Sequence, residues 1–415
     1  MTAYLDGTDL QEKTARHPCY SGGCQNGRMH LPVAPACNIS CNYCNRKFDC
    51  VNESRPGVAS EVLSPQAAAE KYLRVKAALP SIQVVGIAGP GDALANFERT
   101  EETLLRIRAV DPDVVFCLST NGLYLDQYAE RLREIGVTHV TVTMNTIDAQ
   151  IGAQIYREVV YEGHKYTGLE GAALLLEKQL SGLEQLKRLA LVSKINTVLI
   201  RGINDGDIEN VARKARDYGV YIGNVMQLIP ASGSVFEHMP LTSNQELNEV
   251  RKRCEPYVKQ MYHCQQCRAD AIGLLGQDCS AEFRENQPAV ATADSAEDPP
   301  KGTFTALVTT KDRRLINQHF GHADQFYIYR YEDGAIRLKD IRDVTKYCGS
   351  SAECGEEERN EGILAALQDC DFVLTQRIGY YPQQLLERHG KKIITTYGFI
   401  SEELQKTASE FLRGK

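Results

Sequence analysis

The sequence lacks the features that tie a chain to a membrane or a nucleic acid. No apolar run in its 415 residues reaches the roughly 20 residues a membrane-spanning helix needs. The first residues show no basic stretch followed by an apolar core, so no secretory signal is expected. Charge of one sign is not in excess: the net charge of -7 offers nothing to a polyanion. A cytoplasmic protein is expected, with no membrane and no nucleic-acid partner. Tryptophan is absent. Cysteine is plentiful, with 14 residues. Without an export signal these thiols are expected to stay reduced, which favours ligation over disulfides. The remaining composition, 43% hydrophobic and 24% charged, is that of an ordinary globular chain. The length fits two or three domains.

The most informative stretch is Cys37-Asn38-Ile39-Ser40-Cys41-Asn42-Tyr43-Cys44. Its C-x3-C-x2-C spacing lets one tight loop aim three thiolates at three irons of a cubane cluster, leaving the fourth iron open. An open iron can chelate a small molecule, and with this spacing that is usually S-adenosylmethionine. Reduction of the cluster then cleaves the sulfonium and makes a radical. A structural zinc loop is the alternative, but zinc sites usually pair C-x2-C units and want four ligands. The preceding 31–36 reads as a buried strand, so the loop is expected to follow a strand end.

Other candidate ligands are scattered. Cys19 and Cys24 lie in a glycine-rich lead-in, where a flexible segment with idle thiols is the alternative. His30 is either a ligand through a ring nitrogen or a core histidine. Cys50 is too far from Cys44 to share its cluster. Cys117 sits near a strand end, where a buried apolar thiol is the default. Cys264 and Cys267 form a two-point clamp that needs partners. Together Cys19, Cys50, Cys117, Cys264, Cys267 and His30 suffice for two further clusters with incomplete thiolate sets. Glu53 and Arg55 lie near the expected site and are the candidate catalytic residues, with a surface ion pair as the alternative.

Residues 1–16 are polar and are expected to be loosely ordered. From residue 65 strands and helices alternate, with strands expected at 83–88, 114–119, 139–145, 194–200 and 223–228. Helices are expected at 65–79, 171–190 and 206–218. Repeated β-α units of this kind predict an α/β fold whose parallel sheet rolls into a barrel or partial barrel. Ligands bind at the carboxyl ends of such strands. The strand ends carry Gly89, Asp92, Ser119, Asn121, Asn145, Asn196 and Gln227. All but Gln227 are the candidate cofactor-binding residues, with ordinary turn chemistry as the alternative.

Residues 286–302 read as a linker. It separates an expected catalytic domain, 1–285, from a small α/β domain, 303–415, with strands at 303–309, 326–331 and 335–341. Helices are expected there at 359–368, 381–389 and 401–412. The small domain carries His319, His322, Cys348 and Cys354. These can touch a metal cluster, or serve in caps and packing.

With these residues together, the chain resembles the NifB family, radical S-adenosylmethionine enzymes of nitrogenase cofactor assembly. The resemblance rests on His17-Pro18-Cys19, on Arg28–Cys44 and on Asn52-Glu53-Ser54-Arg55-Pro56-Gly57. Further along it rests on the run Ile87–Asn96 and on Cys264–Leu275. These motifs span most of 17–285. The C-terminal part resembles the NifX-type cofactor-carrier domain. The segment 22–27 is shorter than the family pattern and holds the extra Cys24, and the pattern does not place Cys279.

The resemblance implies a 4Fe-4S cluster on Cys37, Cys41 and Cys44 that binds S-adenosylmethionine. It implies two further 4Fe-4S clusters as substrates, on Cys19, His30, Cys50, Cys117, Cys264 and Cys267, with His17 as the alternative to His30. One S-adenosylmethionine would methylate a cluster sulfide. A 5′-deoxyadenosyl radical from a second would abstract hydrogen from that methyl. The carbon would become a central carbide as the clusters fuse, with an added sulfur, into an eight-iron precursor. Iron-sulfur cluster donors and cofactor carriers or scaffolds of nitrogenase assembly would be its partners. Two other readings stay open. One is a radical enzyme whose auxiliary clusters survive turnover on a small molecule or peptide; the other is a non-catalytic scaffold or electron carrier.

Overall fold

A computed structural model describes residues 7–23, 25–47, 50, 61–264, 267–283, 300–311, 313–344 and 356–412. The chain divides into two compact units, Met1–Glu285 and Asn286–Lys415. Among the described residues no helix is long and apolar enough to cross a membrane.

The first unit is built on six parallel strands: Gly27–His30, Ile82–Ile87, Val115–Thr120, Val137–Thr143, Val192–Leu199 and Ile222–Gln227. They lie side by side in chain order. The helices Pro65–Ala78, Phe97–Val110, Leu125–Glu134, Gly168–Arg188 and Ile208–Asp217 fall between successive strands. Pro65 opens its helix behind Ser64, whose hydroxyl caps the Ala67 N–H at 3.2 Å. Beyond the sixth strand there is no further full strand among the described residues, only an isolated parallel bridge from Gly223 to Gln260. At the other edge a short hairpin, Ile272–Leu274 and Gln277–Asp278, adds antiparallel to the first strand. The architecture is a partial (β/α) barrel. Apolar side chains of the strands, such as Val85, Ile87, Phe116, Leu118 and Val140, form one core with the helices.

Two expectations fail in this unit. The strand placed at 31–36 lies earlier, at Gly27–His30, and only an isolated bridge from Ala34 to Pro90 follows it. Pro32 and Pro35 lack the N–H that a continued ladder needs. His30 therefore closes its strand rather than opening one. The N-terminal segment, expected to be loose, contains the helix Gly7–Arg16. Leu10 and Thr14, one turn apart, share a face; Thr14 is buried and Leu10 packs near Tyr20.

The second unit has a five-stranded mixed sheet. Its order is Ala335–Asp343, Gln325–Glu332, Thr303–Val308, Phe372–Thr375 and Lys392–Thr395. The helices Glu356–Ala366, Tyr380–Arg388 and Ile400–Leu412 accompany it. The last two strands were not expected: each has four residues, and so short an apolar run is ambiguous by periodicity alone.

Candidate metal centre

The anchor loop is stitched into the first unit from several sides. Ile39–Cys41 forms a short strand that pairs antiparallel with Tyr156–Tyr161, which pairs in turn with His164–Tyr166. The Asn42 N–H donates to Ile155 O at 2.8 Å, and its side-chain amide donates to Gln154 O at 2.7 Å. Asn145, fully buried, donates to the Tyr43 hydroxyl at 2.7 Å and accepts from the Val198 N–H at 2.8 Å. These bonds hold the three thiol-bearing residues in one compact loop.

The turn after the second strand clamps the chain entering that loop. The Gly91 and Asp92 N–H groups donate to Ala34 O and Ala36 O, at 2.6 and 2.8 Å. A side chain at Gly91 would put its Cβ 2.1 Å from Ala36 O, so only glycine permits this approach. Asn96 occupies the N-cap position of Phe97–Val110 but makes no capping bond. Its amide is used on Ala36 instead, donating to the carbonyl at 2.8 Å and accepting from the N–H at 3.1 Å.

Asp92 ties this turn to the end of the third strand. Its buried carboxylate accepts from the N–H groups of Leu94, Ala95 and Asn121 at 2.9, 3.1 and 2.6 Å, and from the Thr120 hydroxyl. Burial raises the Asp92 carboxyl above its ordinary range, against the pull of those donors. Asn121 then donates to Asn38 Oδ1 at 2.6 Å and lies 3.9 Å from Cys37 Sγ. Asp92 and Asn145 thus have protein partners that tie them to the loop. Gly89 accepts from the Ala34 N–H at 3.3 Å.

A second group of candidate ligands lies inside the barrel. Strand register places Arg28 opposite Val84, His30 opposite Gly86, and Gly86 opposite Cys117. It also pairs Cys117 with His139, Ser119 with Thr141, Thr141 with Lys194, Thr143 with Asn196, and Asn196 with Asn224. Alternate residues point to one side of a sheet, so these side chains share the interior face. Gly86 lets two of them converge. A Cβ there would lie 2.9 Å from Cys117 Sγ and 3.0 Å from His30 Cδ2.

Two separate segments complete the group. His17-Pro18-Cys19 opens the four-residue helix Pro18–Ser21, with proline at its first position and His17 Nδ1 capping the Cys19 N–H at 3.2 Å. The segment after the barrel crosses the same region. His263 Nε2 lies 3.1 Å from Cys19 O, Arg28 donates to Cys267 Sγ at 3.0 and 3.3 Å, and His30 Nδ1 lies 2.8 Å from Arg268 O. Asn224 bridges Asn196 Oδ1 and Cys264 Sγ at 3.0 and 3.4 Å. Cys19 interacts electrostatically with Cys264, Cys267 and Cys117.

The hydrogen bonds distinguish the two histidines. A carbonyl can only accept, so His30 carries its proton on Nδ1 and leaves the Nε2 lone pair free, beside Gly86 and Cys117. His17 Nδ1 accepts from a backbone N–H, which puts its proton on Nε2 and leaves no lone pair for a metal. His30 therefore has the tautomer of a metal ligand oriented by a carbonyl. Burial, and next Arg28, lower its pKa to about 4, so the ring is neutral at neutral pH.

Burial raises Cys19 to about 11, and Cys37 and Cys117 to about 12. Without a metal these groups are thiols, and a metal must displace their protons. Among the described residues no three His, Cys, Asp or Glu side chains could hold a single metal ion. The thiols and the free His30 nitrogen on this face are donor types that iron-sulfur clusters take.

Some expected residues fall elsewhere. Cys50 is buried, its N–H donates to Pro90 O at 3.0 Å, and its thiol interacts with Tyr43 of the anchor loop. Cys279 Sγ lies 3.3 Å from Ile272 O in the edge hairpin. Glu53, Arg55, Cys24, Cys348 and Cys354 lie outside the described residues. Arg28, Lys194 and Asn224 escaped the sequence reading. The available signal was a charged or polar residue at the inward positions of otherwise apolar strands.

The profile of the Radical SAM superfamily matches residues 31–215, and that described as Dinitrogenase iron-molybdenum cofactor matches 304–410. FeMo cofactor biosynthesis protein NifB of Klebsiella pneumoniae is 45% identical, covering 92% of this chain and 87% of its own. Its counterpart from Bradyrhizobium diazoefficiens is 38% identical, covering 98% and 88%. That from Azotobacter vinelandii is 38% identical, covering 92% and 85%. Among solved structures, Streptococcus suis SuiB bound to S-adenosylmethionine aligns with a TM-score of 0.41 at 12% identity, over 63% of this chain and 57% of that one. On the near-full-length identity to these relatives, with both domain profiles present, the chain belongs to the NifB family of radical SAM proteins of FeMo-cofactor biosynthesis.

Proposed function

We propose that the chain fuses two 4Fe-4S clusters, with a carbon from S-adenosylmethionine and one added sulfur, into an eight-iron precursor of the nitrogenase cofactor. The observation that carries this reading is the arrangement around Gly86. There a free His30 nitrogen and the Cys117 sulfur approach each other, inside a barrel shared with Cys19, Cys264 and Cys267. This second set of ligands is separate in sequence from the anchor loop and carries fewer thiolates than permanent clusters would use. Clusters destined to leave should be held by few ligands. A neutral imidazole is a weaker anchor than a thiolate.

The 4Fe-4S cluster of the anchor loop supplies reductive cleavage of S-adenosylmethionine when bound by Cys37, Cys41 and Cys44. The rest of the chain holds and orients. Asn121 and Tyr43 brace the loop. Gly89, Asp92, Ser119, Asn121 and Asn145 near strand ends, and Asn196 within Val192–Leu199 rather than at its expected end, are the proposed S-adenosylmethionine contacts. Glu53 and Arg55 are the proposed catalytic side chains. Cys50 is proposed as a ligand from the anchor-loop side. The second unit is proposed to hold or hand over the product among carrier or scaffold proteins, with cluster donors as the other partners. A cytoplasmic location is part of the proposal, since thiols stay reduced there.

Anaerobic iron counting with EPR, before and after S-adenosylmethionine is added, tests the proposal. Three 4Fe-4S clusters per chain are expected, two of which lose their signals on turnover. Auxiliary clusters that survive turnover unchanged would instead support a radical enzyme with resident clusters. Replacing Cys37, Cys41 and Cys44 together with Ala should stop 5′-deoxyadenosine formation and leave the auxiliary iron in place.

A further inference from the structure

Lys194 lies midway along the fifth strand, opposite Thr141 and Ile222. Its face of the sheet is the interior one, shared with Cys117, Ser119 and Thr141. Lys194 is 9% exposed, and its ammonium makes no hydrogen bond or ion pair with any described residue. Arg28, another cation on this face, is fully engaged by Cys267 Sγ and the carbonyls of Gly273 and Leu274. The charge of Lys194 acts on Cys19, Cys117 and His30. It also reaches His17 and His139 below them.

A cation on the inner face of a barrel, with no partner in the chain, adds nothing to the fold that an apolar side chain of the same length would not. Lys194 is therefore not explained by the stability of the empty barrel. What the barrel is proposed to hold supplies the missing partner. A cluster ligated by thiolates is an anion whose sulfides accept hydrogen bonds, and such bonds tune its potential.

We propose that Lys194 is a binding residue for the cluster held by Cys19, Cys117 and His30, donating a hydrogen bond from its ammonium to a cluster sulfide. This rests on the functional reading above, in which those residues hold iron. The ammonium also offsets the anion's charge, and so favours the reduced over the oxidised state of that cluster. The loaded barrel supplies the partner that the empty one lacks.

The test compares the full-length chain with Lys194→Met, which keeps length and loses charge, and with Lys194→Arg, which keeps charge. The cluster-free proteins are melted. The anaerobically reconstituted proteins are titrated by EPR at the signal that His30→Ala perturbs, and challenged with an iron chelator. The cluster-free Lys194→Met protein should melt no lower than the parent. Its loaded form should show a lower midpoint potential at that signal and lose auxiliary iron about tenfold faster, as for one lost charge-assisted hydrogen bond. Lys194→Arg should stay near the parent in both. An unchanged potential and iron loss in Lys194→Met would overturn the proposal. So would a Lys194→Met chain that melts lower or fails to fold, because Lys194 would then be structural. If the parent itself takes up iron only at the anchor loop, the functional reading fails, and this proposal with it. That result is seen without any Lys194 variant.

Discussion

The Asp92 carboxylate accepts the Asn121 N–H at 2.6 Å, and the Asn121 side chain reaches Asn38 at the same distance. Two β-α turns far apart in sequence are thereby joined to the loop of three cysteines. Asp92→Ala removes the acceptor for three N–H groups and the Thr120 hydroxyl. It should cost about 2–4 kcal/mol of stability, because buried donors are left unpaired. It should also lower S-adenosylmethionine cleavage by loosening the loop. Thermal melts paired with a 5′-deoxyadenosine assay read both effects. A variant with parental stability and activity would remove Asp92 from this role.

His30 should be a ligand and His17 should not. Pulsed EPR of the reduced protein is expected to show strongly coupled nitrogen on one auxiliary cluster. The coupling should vanish in His30→Ala and persist in His17→Ala, while the anchor cluster's signal stays in both. The basis is the tautomer pair set by Arg268 O on one ring and the Cys19 N–H on the other. Coupling that survives in His30→Ala would put the nitrogen ligand elsewhere.

His139 should make the cluster-free protein sensitive to acid. Its ring packs against His17 and Tyr20, its Nδ1 lies 2.8 Å from the Thr138 hydroxyl, and Lys13 and Lys194 are its charged neighbours. Burial, then Lys13, depress its pKa to about 3 from the ordinary 6.5. Between those values the unfolded chain binds a proton that the folded chain refuses. Stability from this group is therefore complete above the unfolded value and lost as pH falls toward the folded one. The slope for one proton is about 1.4 kcal/mol per pH unit. Denaturant melts from pH 7 to 4 should show a shallower decline in His139→Phe. Equal slopes in parent and variant would show that His139 titrates normally.

Deleting 303–415 should leave S-adenosylmethionine cleavage intact and impair product retention or transfer. The two units have separate hydrophobic cores, and the described candidate ligands of the radical chemistry all lie in the first. A truncated chain that folds but yields no 5′-deoxyadenosine would refute this division of labour.

The sequence by itself determined what local spacing can encode. Three thiols within eight residues define a cluster loop because ligands that close can come only from one turn. Alternating apolar strands and helices define a parallel sheet for similar reasons of period. It also showed that Asn121 and Asn145 end strands beside that loop. It did not show that Asn145 spends its amide on Tyr43 and Val198, because that depends on which strand lies alongside. The tertiary structure alone decided the second group. Arg28 meets Cys267 across 239 positions, and His30 meets Arg268 across 238. Period shows that a strand residue faces inward, but only register shows what stands opposite it. Lys194 reads locally as a surface lysine in a strand. Packed opposite Thr141 and Ile222, it becomes a cation inside the barrel. The two histidines likewise differ only through the partner each ring nitrogen meets in the fold.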